Sequence, residues 1–139
     1  MWLGYALLSA LSAAAVAIFG KLGLKSIDAT LATTIRSVIM AGFLVLTSLA
    51  LKKFNGFSFS GLSNREWIFI ALSGVAGALS WLFYFLAIQK GVTTQVVAID
   101  RLSVIFVVFL AALFLGETLS LKVISGAVLL VAGALLIAL

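Results

Sequence analysis

Apolar residues fall into five long runs along the chain, and charged and polar residues concentrate in the short links between them. The runs cover about residues 2–20, 30–51, 67–88, 93–115 and 119–139. At a rise of ~1.5 Å per residue, about 20 apolar residues in an α-helix cross the ~30 Å hydrocarbon core of a bilayer. The pattern therefore predicts an all-α membrane protein, a bundle of five transmembrane helices.

The links are short enough to make neighbouring helices antiparallel. They cover residues 21–29, 52–66, 89–92 and 116–118. The longest ends in Ser63 and Glu66, the spacing of a capping box, which predicts the start of the third helix. In the same link Phe54, Phe57 and Phe59 alternate with small polar residues, a pattern typical of a segment on the membrane surface.

The chain contains no proline and no composition shift that would mark a linker, so residues 1–139 are predicted to form one domain. Residues 1–20 are similar to a signal peptide in that residues 12–15 are small. No lysine or arginine precedes this apolar run, and we interpret it as a retained first helix.

Composition excludes several function classes. Apolar residues make up 65% and charged residues 9% of the chain, against roughly 45–50% and about 25% in soluble domains. The absence of Cys and His removes disulfides and the usual zinc ligands, and no nucleophile with a matching base can be assembled. We expect no enzyme, cofactor or metal site. The net charge of +5 is scattered over helix ends, which argues against nucleic-acid binding.

Basic residues orient the chain only weakly. With five spans, one side of the membrane would hold four of them, and the other side three: Lys52, Lys53, Arg65 and Lys122 against Lys21, Lys25 and Lys90. One interpretation is that apolarity of the first helix sets the orientation. The other is that the chain inserts both ways and pairs with an inverted copy as an antiparallel homodimer of dual topology.

Three charged residues fall inside the predicted spans. Arg36 lies in the second, and Asp100 and Arg101 lie in the fourth, at similar depth in the predicted topology. Charges in mid-membrane are costly and usually face the bundle interior, a cavity or a partner. One interpretation is a structural ion pair between Arg36 and Asp100. The other is a polar cavity in which Asp100 binds a cation or proton and the arginines hold an anionic group.

Further side chains lie on the same helical faces as Arg36 and Asp100. Thr33, Ser37 and Met40 share a helical face with Arg36, and Ser103 shares one with Asp100. The third span adds Trp81 and Tyr84, one turn apart, which fit either a solute cavity or a packed interior. Glu117 lies in the tight link before the fifth helix, where an acid could cap that helix.

Small residues recur at intervals that allow close helix packing, either within the chain or at a dimer face. They are Ser9, Ala13 and Ala17; Ser73 with Gly77 and Gly74 with Ala78; and Gly126 with Gly133.

Three stretches together resemble a known family. They are Lys21 to Leu24 with Ala32 to Arg36; Leu79 to Ala87; and Ile99 to Ser103 running on through Leu113 to Ser120, Gly126, Ala127 and Gly133. The whole chain is similar to the EamA-type domain of the drug/metabolite transporter superfamily, in the half-size, five-helix form of bacteria and archaea. The last third carries the most specific part of the resemblance.

The resemblance implies one repeat of an inverted-repeat transporter, since full-length relatives carry two such domains in opposite orientation. It implies a secondary transporter that moves a small metabolite or drug by alternating access, working as a homodimer in a prokaryotic inner membrane. In relatives, helices one, three and four line the cavity, which favours Trp81, Tyr84, Asp100 and Ser103 over Arg36. Many relatives carry a proline where this chain has Ala98, so the resemblance gives no support for a helix break there.

Cavity charges of both signs would suit a zwitterionic solute, with a proton or ion as coupling partner. A proton antiporter of the small multidrug type needs an acid in the first helix, and residues 1–20 contain none. The remaining alternative is a non-transporting helical subunit that scaffolds or regulates a partner.

Overall fold

The computed structural model describes residues 1–58 and 61–139, and these form helices and connecting turns with no β-strand. The helices are α1 (Trp2–Gly23), α2 (Ala29–Ala50), α3 (Asn64–Lys90), α4 (Thr93–Asp100), α5 (Ser103–Leu110) and α6 (Leu121–Ala138), with a π-helical segment at Ala111–Leu115. Within these described ranges, five helical spans are long and apolar enough to cross a membrane, and α4, α5 and the π-helical segment together make the fourth. The predicted fold class is confirmed.

Two helix starts are fixed by carboxylates. Asp28 precedes α2 and accepts hydrogen bonds from the backbone amides of Thr30 and Leu31, at 2.9 and 3.1 Å. At the start of α3, the Glu66 carboxylate accepts from the Ser63 amide at 2.8 Å, while the Glu66 amide donates to the Ser63 hydroxyl at 3.3 Å. This is the capping box expected from the sequence, and it begins α3 one turn before the apolar run.

The fourth span ends at Gly116, which adopts the left-handed conformation with φ 67°. A residue without Cβ takes this conformation at no steric cost, so the chain can reverse here. The next helix is capped by Ser120, whose hydroxyl accepts from the Val123 amide at 3.3 Å. The sequence suggested Glu117 for this role, but Ser120 is the residue directly before α6.

The chain divides into two compact units, residues 23–89 and residues 1–22 with 90–139. In the first of these, which we call the α2–α3 unit, the Gln89 side-chain amide donates to the Ile27 carbonyl at 2.9 Å. The start of α2 and the end of α3 are thereby joined. The core lies at this end, where Ala29 and Ile88 are fully buried and Phe85 is 3% exposed.

The second unit, which we call the α1–α6 unit, contains α1 and α4 to α6. Helix α6 packs mainly against α4, and the Gln95 side-chain amide donates to the Ala138 carbonyl at 3.1 Å, so the two helices run antiparallel. The Lys21 ammonium donates to the Gly91 carbonyl at 2.9 Å. The core is made of alanines, which let helix backbones approach closely: Ala17, Ala98, Ala111 and Ala134.

The glycines of the small-residue faces do not take part in this packing. Among the described residues, no atom apart from those of the adjacent residues and the helix's own nearby backbone lies within 4 Å of the position that a Cβ would occupy at Gly74, Gly77, Gly126 or Gly133. An apolar groove of about 250 Å³ also runs along α5 and α6, lined in part by Phe109. These surfaces are open to lipid or to another chain.

The link before α3 contains a left-handed residue at Lys52 and another at Gly56, with φ 54° and 76°. Phe54 and Phe57 meet edge to face, with ring centroids 6.3 Å apart, and each is more than 40% exposed. Their exposure fits the predicted location on the membrane surface, which stays a prediction. Phe59, the third aromatic of that pattern, lies outside the described residues.

Candidate functional site

The α2–α3 unit holds a charged residue well inside a membrane span. Arg36 is the eighth residue of α2, so it lies ~10 Å along a helix of ~33 Å. Trp81 lies nine residues before the end of α3, ~14 Å from the same end of the unit. Because the start of α2 and the end of α3 are joined, the two side chains lie at similar depth and can meet.

The Arg36 guanidinium lies over two aromatic rings. Its Cζ atom lies 3.8 Å from the ring centroid of Trp81 and 5.1 Å from that of Phe85. Both distances are within the ~6 Å range of cation–π attraction, which is strongest with an indole and strengthens when the pair is removed from water. The rings thus stabilise a cation in a place where lipid does not.

The aromatic side chains hold one another in position. Trp81 and Phe85, one helical turn apart, stack at 5.8 Å with planes 29° apart. Tyr84 meets both edge to face, with centroids 5.6 Å from each. Phe85 is buried, whereas Trp81 and Tyr84 are partly exposed, so Phe85 forms the base of the cluster. We call Arg36, Trp81, Tyr84 and Phe85 the Arg36 cluster.

Of the three side chains predicted to share the helical face of Arg36, one is buried. Thr33 is buried at 7% exposure, but Ser37 and Met40 are exposed. The Thr33 hydroxyl donates to the Ala29 carbonyl at 2.7 Å, and the Ser37 hydroxyl donates to the Thr33 carbonyl at 2.8 Å. Both hydroxyl protons are therefore used within α2, as is common for Ser and Thr in helices.

The Arg36 Nη1 atom is buried and has no hydrogen-bond partner among the described residues. An aromatic face attracts the positive charge but does not accept the in-plane N–H bonds of a guanidinium, which carries five donors. Buried donors are almost always paired in proteins. The cluster thus presents a positive group with unused hydrogen-bonding capacity.

The α1–α6 unit places Asp100, Arg101 and Ser103 around an interruption of the fourth span. The span turns at Arg101 and Leu102, between α4 and α5. Asp100 is partly exposed, and Arg101 and Ser103 are exposed. The turn lies ~12 Å from the start of α4, about a third of the way along the span.

The interruption changes the backbone hydrogen bonding. The amide of Leu102 donates to the Ile99 carbonyl at 2.9 Å, and that of Val104 donates to the Arg101 carbonyl at 3.1 Å. In a regular α-helix these two amides would bond to the carbonyls of Ala98 and Asp100. The Ala98 and Asp100 carbonyls thus lose these helical partners without any proline.

The structure brings together three of the six residues predicted for the site, Arg36, Trp81 and Tyr84. The resemblance had favoured Trp81 and Tyr84 over Arg36, yet Arg36 lies directly over Trp81. Sequence reasoning missed Phe85, although its spacing of four residues from Trp81 was a usable signal. Among the described residues, no three His, Cys, Asp or Glu side chains cluster in a way that could hold a metal ion.

Comparison with known proteins gives two matches along the whole chain. The sequence profile described as the EamA-like transporter family matches residues 1–139. A Sinorhizobium sp. protein named "Uncharacterized transporter in cobO 3'region" is 39% identical over 137 residues, which are 99% of this chain and 96% of that protein. No solved structure matches the chain.

Proposed function

The chain belongs to the EamA-like transporter family, and we propose that it is a secondary transporter that moves a small metabolite or drug-like solute by alternating access. Membership confirms the resemblance seen in the sequence and makes the chain a multi-pass integral membrane protein. The family and the relative named a transporter point to a transporter rather than to an enzyme. The bacterial relative supports a location in the plasma membrane of a prokaryote.

The Arg36 cluster is the observation that carries this proposal. A guanidinium in mid-span costs at least a few kcal/mol relative to an apolar side chain, and intramembrane charges mark solute or ion pathways. Arg36 is held at its position by Trp81 and Phe85, with Nη1 left unpaired. A fixed, partly unsatisfied donor group among aromatic rings fits a solute site better than a lipid-facing surface.

Asp100 is the proposed coupling group, with Arg101 and Ser103 beside it. Transporters bind coupling ions where a span is interrupted, using carboxylates and displaced carbonyls. The turn after α4 supplies both features. Replacing Asp100 with Asn should abolish or alter the pH dependence of transport. Asp28→Asn is the matched control, because it neutralises a carboxylate at a helix end while Asn keeps the capping bond. Unchanged transport and stability of Asp100→Asn over the whole pH range would exclude this role.

The working unit is proposed to be an antiparallel homodimer, in which a second copy completes the inverted repeat. The near balance of basic residues supports insertion in both orientations. The open glycine face of α6, with Gly126 and Gly133, and the apolar groove along α5 and α6 are two surfaces that a second copy could cover. The Sinorhizobium transporter of nearly equal length supports a five-helix unit of this kind.

The orientation of the chain tests the homodimer. The protein is given a C-terminal tag and reconstituted in sealed vesicles, and the accessibility of the tag to protease or to an impermeant label is measured. Crosslinking counts the subunits. Mixed orientation together with dimers is the expected result. A single orientation would exclude the inverted homodimer and would favour the alternative of a scaffolding subunit.

Flux from proteoliposomes tests transport itself. Vesicles are loaded with a defined mixture of amino acids, carboxylic acids and organic cations, and mass spectrometry follows their appearance outside. We expect protein-dependent release of a subset of these solutes, reduced by Arg36→Gln. Release equal to that of protein-free vesicles for every solute would contradict the proposal.

A further inference from the structure

Neither acidic side chain of the α2–α3 unit serves as a counter-ion for Arg36. The unit contains two acidic residues, Asp28 and Glu66. Asp28 accepts from two backbone amides at the start of α2, and Glu66 accepts from the Ser63 amide and hydroxyl at the start of α3. Both carboxylates are thus engaged at helix ends.

The aromatic contacts give the guanidinium no hydrogen-bond acceptor, and the Arg36 side chain as a whole is partly exposed. Its Cζ atom lies 3.8 and 5.1 Å from the ring centroids of Trp81 and Phe85, and the buried donor Nη1 has no acceptor among the described residues. A guanidinium edge presents two parallel N–H groups, which match the two oxygens of a carboxylate. The contact with Trp81 limits where the guanidinium can lie.

We infer that Arg36 is the receptor for a single carboxylate group of the transported solute, with Trp81 limiting where its guanidinium can lie. This inference deepens the proposed function and rests on it. A monoanion is favoured over a dianion such as phosphate, because Arg36 is the basic residue in mid-span of this unit. The remaining basic residues of the unit lie at helix ends or in links: Lys25, Lys52, Lys53 and Arg65. One carboxylate neutralises the site, whereas a dianion would leave a net charge in a medium of low dielectric constant.

The rings also indicate the rest of the solute. Trp81 and Tyr84 are partly exposed beside the guanidinium, so they offer apolar surface next to the anion site. A ligand that carries a carboxylate on an apolar or aromatic body would use both. The assigned substrate class is therefore amphipathic monocarboxylates.

Fluorescence of Trp81 provides a direct binding test. The chain has three tryptophans, so Trp2→Phe with Trp67→Phe leaves Trp81 as the sole reporter. This protein is reconstituted in nanodiscs of zwitterionic lipid and titrated with 3-phenylpropionate, with its uncharged amide, and with inorganic phosphate. We expect a saturable change in Trp81 emission with the carboxylate, none with the amide, and a much weaker one with phosphate. An equal response to carboxylate and amide would overturn the inference without any substitution of Arg36.

Substitutions of Arg36 test whether this residue binds the carboxylate. Arg36→Gln should weaken carboxylate affinity at least about 10-fold, as expected for the loss of a charge-assisted pair. Arg36→Lys keeps the charge but loses the planar fork of the guanidinium. Its carboxylate affinity should lie between those of the wild type and Arg36→Gln. Arg65→Gln is the matched control, because Arg65 lies 5.7 Å from the Phe69 ring on an exposed surface. Wild-type affinity in Arg36→Gln or in Arg36→Lys would contradict the assigned role.

Four further outcomes separate the competing explanations. If carboxylate binding appears only after Asp100→Asn, the partner of Arg36 is that residue and the inference is wrong. If anionic lipid abolishes the response to the carboxylate, Arg36 is a lipid site, and the inference is again wrong. Saturable binding without flux of the same carboxylate in proteoliposomes would refute the transporter proposal alone. Flux without Arg36-dependent binding would refute the carboxylate assignment alone.

Discussion

The contact between Arg36 and Trp81 predicts a measurable coupling energy between the two side chains. Cation–π pairs contribute about 0.5–1 kcal/mol when exposed and about 2 kcal/mol or more when desolvated. At 3.8 Å from the Trp81 centroid, with Nη1 buried, Arg36 belongs near the upper part of this range. We therefore expect a coupling of about 1–2 kcal/mol in favour of the folded protein.

A double-mutant cycle isolates this quantity. Arg36→Met, Trp81→Leu and the double variant are unfolded with SDS in mixed micelles, followed by circular dichroism. Protein concentration is held constant, because subunit association contributes to apparent stability. The cycle subtracts the loss of each side chain's other contacts, including those of Trp81 with Tyr84 and Phe85.

The same unit contains an internal reference for the cycle. Arg65 lies 5.7 Å from the Phe69 ring, near the limit of the interaction, and both residues are exposed. The corresponding cycle with Arg65→Met and Phe69→Leu should give about 0.5 kcal/mol or less. A coupling below about 0.3 kcal/mol for Arg36 and Trp81, which is the usual error of additivity, would refute this contact geometry. So would a value no larger than that of the reference pair.

Three further substitutions test the fold by the same unfolding assay. Asp28→Ala removes the acceptor for two amides of α2 and should cost about 1 kcal/mol, while Asp28→Asn should cost only a few tenths; equal losses would show that the cap bond is not what matters. Gly116→Ala places a Cβ on a residue with φ 67° and should cost about 1 kcal/mol, so unchanged stability would contradict the left-handed turn. Ile88→Ala empties a fully buried position and should cost about 2–5 kcal/mol, against little for the outward-facing Leu129→Ala; similar effects at both would refute the assigned core.

The spans were predictable from sequence because lipid imposes a length and a composition on every helix that crosses it. The ends of the helices were harder to predict, since they depend on single hydrogen bonds. Glu66 begins α3 through its bonds to Ser63, several residues before the apolar run. Ser120 rather than Glu117 precedes α6, because the chain leaves the fourth span through Gly116 and needs further residues to turn.

The candidate site was predictable in its residue types but not in its contacts. A helix that is apolar on every side gives no periodic signal for its interior face, so the partner of Arg36 could not be read from spacing. The spacing of Phe85 from Trp81 places both on one face of α3, but it does not show that Phe85 is buried or that it forms the base of the cluster. The interruption at Arg101 and Leu102 was also unexpected, because a change in amide pairing can interrupt a helix without proline.

The cost of burying charge explains why the Arg36 cluster points to binding rather than to packing. A methionine or leucine at position 36 could fill space against Trp81 and Phe85 without placing a cation in a membrane span. Replacing buried charges by apolar residues is often neutral or stabilising in proteins, so packing alone gives no reason for arginine here. The contact with the rings offsets part of the cost but leaves the Nη1 donor unpaired. A ligand that arrives with its own carboxylate removes that remaining cost only while it is bound, as a transport site requires.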